Sequence, residues 1–341
     1  MRQLVNTKTG GYDVLEVQEV PDLSPGDDEL LIQVKAAGLN FADILARKGQ
    51  YPDGPKTPCV MGYESSGIVK EVGSTINKDW VGKEVIVLSK FKGQASQVVV
   101  KEFLVFEKPK QLSFVEAASI PVTYLTAWAL MVVMGGLKKG ESILIHNAGG
   151  GVGLAQLDIA QHLGAVSYGT ASERKHEFLK KRGLDYAIDY RNKDWFTELM
   201  KLTDNKGVEL VTDPLGGKEW KKSYKALRAT GRLGMFGVSV ASKSPSGGLG
   251  AKLELIKAVL AMPTFKPISL LDKNRGVFGV NLGHLWHETE KTISWMHKIL
   301  DGVEDGWVRP HVDKTFPLEE AAEAHRYIEE RKNIGKVVLT V

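Results

Sequence analysis

SILIHNAGGGVGLAQLDIAQHLGA, residues 142–165, runs from an apolar strand through a glycine loop into an amphipathic helix. The strand is read over Ile143–Ile145, a short buried apolar run. Ala148, Gly150 and Gly153 then fall at the spacing of a dinucleotide fingerprint, with alanine at the first glycine position. At Gly150 the missing Cβ lets the backbone approach a pyrophosphate, and at Gly153 it lets helix and strand pack closely. The helix that follows offers free N–H groups and a positive dipole end to phosphate. Gly149, Gly150, Gly151 and Val152 are therefore read as a phosphate loop. A purely structural glycine turn is the competing reading, and the strand–loop–helix–strand context weighs against it.

The end of the following strand discriminates between dinucleotides. An NAD site carries Asp or Glu about 20 residues further on, to hold the ribose 2′-OH. Here the strand ends GTASERKH, residues 169–176. Ser172 offers a hydroxyl, Arg174 and Lys175 bring positive charge, and Glu173 is the nearest acid. A 2′-phosphate is attracted and an NAD ribose lacks its carboxylate partner, which favours NADPH. A solvated helix start is the other reading of Arg174 and Lys175. Tyr190, at the end of DYAIDY, is placed to flank the same phosphate or to stand as a surface aromatic.

Downstream, AVSYGTAS, DYAIDY, GVELVTDPLGG and GRLGMFGV alternate with the helical patterns ERKHEFLKKRG, DWFTELMKLTDN and WKKSYKALRAT. These are successive β–α units of a parallel sheet covered on both faces. A Ser/Gly/Lys-rich insertion at 241–276 interrupts them, with a helix expected around Ala251–Leu260. VFGVNL reads as a further strand, WHETEKTISWMHKILDG as a long helix, AAEAHRYIEERKN as another, and GKVVLTV as a last strand. Residues 1–110 differ. ELLIQVKAAG, SGIVKEVG, KEVIVL, ASQVVV and FLVFEK are short β-prone runs between regular turns, which predicts a partly closed antiparallel barrel or twisted sandwich. NFADILARKG is a short helix starting near Asn40 and stopping at Gly49.

A chain of 341 residues exceeds the usual size of one domain. Its 45 Lys and Arg against 41 Asp and Glu give a net charge of +4, which argues against a nucleic-acid binder. The lone cysteine, Cys59, excludes a disulfide framework, an iron–sulfur cluster and a four-cysteine zinc site, and points to a reducing compartment. The start, MRQLVNTKTGGYDVLEV, has no signal core. VTYLTAWALMVVMGG and LIKAVLAM fall short of a span of roughly 20 residues. A cytoplasmic protein is expected.

Together these blocks resemble the medium-chain dehydrogenase/reductase superfamily, in its zinc-free quinone oxidoreductase division. AAGLNFADILARKGQYPDGPKTPCVMGYESSGIVKEVG (36–73), NAGGGVGLAQLDIAQ (147–161), the 169–191 block, DPLGG (213–217) and NIGKVVL (333–339) carry the likeness almost end to end. GTASERKHE, the 241–276 insertion and GVFGVNLG are most similar to the branch of the synaptic-vesicle membrane proteins. The resemblance implies an α/β protein with a GroES-like β-barrel and a Rossmann domain. Expected boundaries are 1–120 for the barrel, 121–284 for the nucleotide domain, and 285–341 for a return into the barrel. It also implies a homodimer, joined through the region of VFGVNL.

Zinc-dependent members carry Cys, a His within Gly-His-Glu, and a second Cys or Asp. Here Asn40, Tyr63 and the vicinity of Val122 stand at those positions, so no metal site is expected. Cys59 is read as a packing residue, and the eight histidines are dispersed. By resemblance, Asn40, Tyr51 and Tyr63 are the catalytic candidates, although Asn40 also suits a helix cap and Tyr51 also suits packing. A tyrosine that several members place one turn after the Asn is Leu45 here. The family positions add Thr126, Phe236, Gly237, Ser239, Phe278, Val280, Arg331 and Asn333 to the cofactor residues. The implied activity is NADPH-dependent reduction of quinones or related conjugated carbonyls. Enone or 2-alkenal reduction is the first alternative. The second is a weakly catalytic NADPH-binding protein at membranes, for which Leu253, Ile256 and Leu260 share a helix face with Lys252 and Lys257 nearby.

Overall fold

The computed structural model describes residues 1–51, 53–239 and 249–341. Eight strands open the chain: β1 (Arg2–Asn6), β2 (Leu15–Glu19), β3 (Glu29–Leu39), β4 (Cys59–Val60), β5 (Glu64–Val72), β6 (Glu84–Leu88), β7 (Gln97–Lys101) and β8 (Val105–Glu107). The short helix α1 (Phe41–Arg47) leaves β3 and stops before Gly49, which adopts φ +68°. β3 is buried except at Glu29, Gln33 and Lys35, and it pairs antiparallel with β5 and β7. Leu30, Ile32, Val34, Val85, Val87 and Val98 fill the interior between these strands.

Two helices, α2 (Phe114–Ala117) and α3 (Pro121–Trp128), lead into the second unit, with α3 running on into a wider π-type turn over Ala129–Val133. From β9 (Ser142–Ile145) the chain alternates: α4 (Gly151–Leu163), β10 (Val166–Ala171), α5 (His176–Lys181), β11 (Tyr186–Asp189), α6 (Trp195–Leu202), β12 (Val208–Asp213), α7 (Glu219–Lys225) and β13 (Leu227–Met235). Helices α8 (Leu249–Leu260) and α9 (Pro267–Lys273) follow, then edge strand β14 (Gly276–Gly279) and α10 (Thr289–Glu304). Residues 241–248 of the expected insertion lie outside the described residues.

The second sheet has the order β11-β10-β9-β12-β13-β14, and all its pairs are parallel. β9 is central and apolar on both faces. Ile143 and Ile145 join Leu130, Leu157 and Ile159 on one side, and Leu144 joins Val211, Leu233 and Leu199 on the other. That explains a continuous apolar run where an alternating one marks a half-exposed strand. The order reverses between β9 and β12, the place where such sheets open a crevice.

The tail closes the structure. β15 (Val312–Pro317), α11 (Ala321–Glu329) and β16 (Lys336–Thr340) come last. β16 lies antiparallel to β3, Leu39 opposite Val337, and completes the first, seven-stranded sheet. Just before β16, Gly335 donates its N–H to the Gly149 carbonyl at 2.9 Å, so the tail is joined to the phosphate loop as well. This is the architecture expected from the sequence: a GroES-like β unit and a Rossmann-like α/β unit.

Candidate functional site

The loop after β9 is built by exclusion of side chains. A Cβ on Gly153 would stand 2.5 Å from the carbonyl oxygens of Asn147 and Ala148, so only glycine admits this turn. Gly150 caps α4 in extended conformation, and its N–H donates to the Asn147 carbonyl at 2.9 Å. A Cβ on Gly149 would lie 2.7 Å from Cδ of Lys175, which therefore lies directly against the loop.

Around Lys175 the cations gather. It is 6% exposed, and its ammonium donates to the Asn333 carbonyl. Arg174 donates to the carbonyls of Arg331 and Lys332 at 2.8 and 2.7 Å, and Arg331 donates to the Tyr190 hydroxyl at 3.3 Å. Burial, followed by the positive charge of Arg174, lowers the Lys175 pKa to about 8; Asp313 opposes them, and Arg191 and Arg331 add smaller amounts. Burial raises the Tyr190 pKa, but the hydrogen bonds from Arg331 and Arg191 outweigh it and hold the phenol below its ordinary value. A buried ammonium among guanidinium groups, hydrogen-bonded to a neutral carbonyl, matches a phosphate dianion in charge and donors. The residues fit the group.

At the other end of the cleft, Asn40 caps α1. Its N–H donates to the Asp43 carboxylate at 2.8 Å, its Nδ2 donates to Glu64 at 2.9 Å, and its Oδ1 accepts from Lys336 at 2.6 Å. Glu64, fully buried, also pairs with the Lys336 ammonium and accepts from the Val122 N–H at 2.8 Å. One residue thus serves both ends: the Asn40 backbone starts the helix with Asp43, and its side chain bonds Glu64 and Lys336 at the cleft. Burial raises Asp43 to about 7, against the opposing hydrogen bond from the Asn40 backbone and the charge of Lys336. Tyr51 and Tyr63 meet edge to face with centroids 6.5 Å apart, and burial raises both phenols, Tyr63 the more strongly.

One cavity of about 1910 Å³ joins both ends. Asn40, Tyr51, Tyr63, Thr126, Gly150, Gly151, Val152, Lys175, Tyr190, Phe236, Gly237, Ser239, Val280, Arg331 and Asn333 all line it. The loop Phe236–Ser239 is held by Asp213 and Pro214, whose carbonyls accept from the N–H groups of Phe236 and Ser239. Three expected residues stand behind the wall. Gly149 underlies Lys175, Ser172 is buried at the end of β10, and the Phe278 ring packs against Gly234 in the core. The Phe278 ring is taken up by the packing on Gly234, and Val280, one residue past the end of β14, lines the cleft instead. Cys59 is half-buried and burial raises its thiol, which suits packing. Among the described residues no group of three or more His, Cys, Asp or Glu could hold a metal ion.

Sequence reasoning missed Lys336 and His146, and gave Glu64 no role of its own. Lys336 stood in the quoted NIGKVVL, and Glu64 in Gly-Tyr-Glu, but only the pairing of β16 with β3 brings them together. His146 bridges Thr170 and Ser223 at 3.1 Å each, and Ser223 donates to the buried Asp213 at 2.6 Å. The carboxylate bonds the serine rather than the imidazole, so this network supports the loop and has no nucleophile's geometry.

Residues 26–109 match the alcohol dehydrogenase GroES-like domain, and 182–339 match the zinc-binding dehydrogenase family. The synaptic vesicle membrane protein VAT-1 homolog of Danio rerio is 37% identical over 99% of this chain and 70% of its own length. The human homolog is 36% identical over 99% and 86%. Among solved structures, human VAT-1 homolog-like protein superposes with TM-score 0.86 at 30% identity, covering 100% of this chain and 98% of that one. Escherichia coli quinone oxidoreductase complexed with NADPH gives 0.87 at 28%, with full coverage of both. CurK enoyl reductase gives 0.84 at 30%, covering 99% and 98%.

These matches correct the expectation of a purely cytoplasmic protein: both curated relatives are, by name, proteins of a vesicle membrane. The apolar stretch is also longer than VTYLTAWALMVVMGG alone. Phe114–Val133 is helical over 20 residues and apolar enough to cross a membrane, although 78% of its apolar window is buried in this fold. The added length comes from α2, which a three-residue turn at 118–120 joins to the start of α3 at Pro121. By domain matches, whole-chain identity and superposition, the chain belongs to the medium-chain dehydrogenase/reductase superfamily, in the zinc-free branch of the VAT-1 proteins and quinone oxidoreductases.

Proposed function

We propose that this protein is an NADPH-dependent, zinc-independent reductase of quinones or related conjugated carbonyls. The carrying observation is the group of Arg174, Lys175 and Arg331 around Tyr190, a cation cluster suited to a 2′-phosphate. The likeness to a quinone oxidoreductase complexed with NADPH supports it. Lys175, Tyr190, Arg331 and Asn333 would hold the phosphorylated ribose, the Gly150–Val152 turn the pyrophosphate, and Thr126, Phe236–Ser239 and Val280 the remainder. NADPH, when bound, supplies the hydride for a two-electron reduction.

The chain's own residues orient the acceptor and answer its charge. Tyr51 is the hydroxyl best placed to donate to an acceptor oxygen, and Asn40 has one Nδ2 hydrogen left after its bond to Glu64. The balancing proton reaches that oxygen from Tyr51 or from water. Tyr63 backs Tyr51 and keeps this end of the cleft apolar. Glu64 and Lys336 hold the Asn40 carboxamide in one orientation. The likeness to an enoyl reductase also favours acceptors with a conjugated C=C bond. The test follows absorbance at 340 nm with NADPH or NADH against 1,4-benzoquinone, 9,10-phenanthrenequinone and a 2-alkenal. NADPH-dependent turnover that survives chelation is expected; preference for NADH, or loss of activity with chelator, sinks the assignment.

A second role rests on a different surface. Leu253, Ile256, Val259, Leu260, Ile268 and Leu271 are between 50% and 81% exposed, with Lys257, Lys266 and Lys273 exposed among them. An apolar face ringed by lysines suits the boundary of an anionic bilayer. Co-sedimentation with phosphatidylserine vesicles should fall when Leu260 and Leu271 become Ser; equal binding by both proteins removes this reading. We also place a second copy of the chain at the open edge of β14, which sedimentation equilibrium tests directly.

A further inference from the structure

A second compartment of about 490 Å³ opens beside the main cleft and shares Tyr51, Tyr63 and Trp286 with it. One wall is the loop that joins β6 to β7, whose backbone is forced. Phe91 and Lys92 hold φ +70° and +64°, a left-handed conformation uncommon for residues with side chains. A ladder keeps it there: the N–H groups of Lys92, Gly93 and Gln94 donate to the carbonyls of Val60, Gly62 and Met61 at 3.0–3.2 Å. The outcome is that the Phe91 ring turns inward onto Tyr63, with centroids 5.3 Å apart. Tyr51, Tyr63 and Phe91 thus form a continuous aromatic wall, facing Trp286.

The charges on this compartment are uneven. Its carboxylate, Asp53, is engaged by His284 at 2.8 Å and by the Asn281 amide at 3.1 Å. Lys90, in the same loop, is exposed; its charge helps to lower the Asp53 carboxyl, but among the described residues it forms no ion pair. We propose that this compartment is a substrate subsite for the distal ring of an aromatic acceptor bearing an anionic substituent. The ring stacks on Phe91 and Tyr63, and Lys90 receives the anion. Resting on the reductase reading, the proposal names its substrate class: fused-ring acidic quinones in preference to small neutral ones.

The test uses the full-length protein and separates the two readings. Naphthalene-2-sulfonate, which cannot be reduced, and neutral naphthalene are titrated by tryptophan fluorescence, and 1,2-naphthoquinone-4-sulfonate is compared with 1,2-naphthoquinone in turnover. Lys90→Gln should weaken the sulfonates about fivefold, the value of an exposed charge pair near 1 kcal/mol, and leave the neutral compounds unchanged. Phe91→Gly should weaken both classes by about fivefold. Glycine accepts φ +70°, so this variant should melt no lower than the parent and its loss of binding cannot be a loss of fold. Equal affinity for sulfonated and neutral ligands, or a Lys90→Gln effect on both alike, overturns the subsite. If sulfonate binding depends on Lys90 and Phe91 while no quinone is reduced, the subsite stands and the reductase reading falls. If quinones are reduced with no such dependence, the reverse holds.

Discussion

Lys175 carries the cofactor assignment, and its titration gives the assignment a pH signature. Its pKa falls from 10.5 to about 8 because burial and neighbouring cations disfavour the ammonium. Between about pH 8 and 10.5 the unfolded chain therefore binds the proton that the native lysine has released, and this group's contribution to stability rises with pH across that window. The phosphate contact changes in the opposite sense: it needs the ammonium, so the KM for NADPH should climb above pH 8 while that for NADH stays flat. Lys175→Met should raise the NADPH KM by about 10- to 100-fold, as expected for a charged hydrogen bond, again sparing NADH. Asp43 shows the opposite linkage. Raised to about 7, it binds more protons in the native state than in the unfolded chain from about pH 4 upward, so its contribution falls as pH rises through 7. Asp43→Asn keeps an acceptor for the Asn40 N–H without a buried charge. Its melting temperature relative to the parent should improve from pH 5 to pH 8, and an opposite trend would show that the buried carboxyl is stabilised as its anion. Lys175 could be found in the sequence because the fingerprint fixes its position. The complete burial of Asp43 could not, since a carboxylate three residues past a helix cap is ordinarily solvated.

The β9–α4 turn is the element on which binding depends most. Gly153→Ala places a methyl group 2.5 Å from two carbonyl oxygens, which forces the strand and helix apart. Overpacking of this kind costs about 1–3 kcal/mol, and NADPH affinity should drop at least tenfold, measured by cofactor fluorescence. Gly149→Ala meets only the flexible stem of Lys175 and should be milder. The β–α alternation was legible because each unit repeats a strand period and a helix period. Element ends were less so: the helix expected from Trp286 begins at Thr289, because the Asn281 side chain accepts from the Gly283 N–H and starts a tight turn over Leu282–His287. Likewise, the place of Phe278 depended on a ring packing against Gly234 of the neighbouring strand β13, a contact that composition does not encode.

At the scale of the molecule, the pair Lys336–Glu64 connects the last strand to the first sheet and to the cleft at once. Lys336→Met leaves Glu64 charged and buried, and should lower stability by about 3–5 kcal/mol in thermal or urea melts. Adding Glu64→Gln should restore part of the loss. This contact was invisible in sequence, for nothing local in GKVVL states that its lysine reaches a residue 272 positions earlier. The same topology bears on biosynthesis. β3 leaves the ribosome early, yet its neighbour β16 emerges only after every strand of the Rossmann sheet. Until then a nascent barrel exposes an unpaired edge at β3, the kind of edge that recruits foreign strands. Holding chaperones would therefore be needed during elongation, and the nucleotide unit would mature before the half-built barrel beside it.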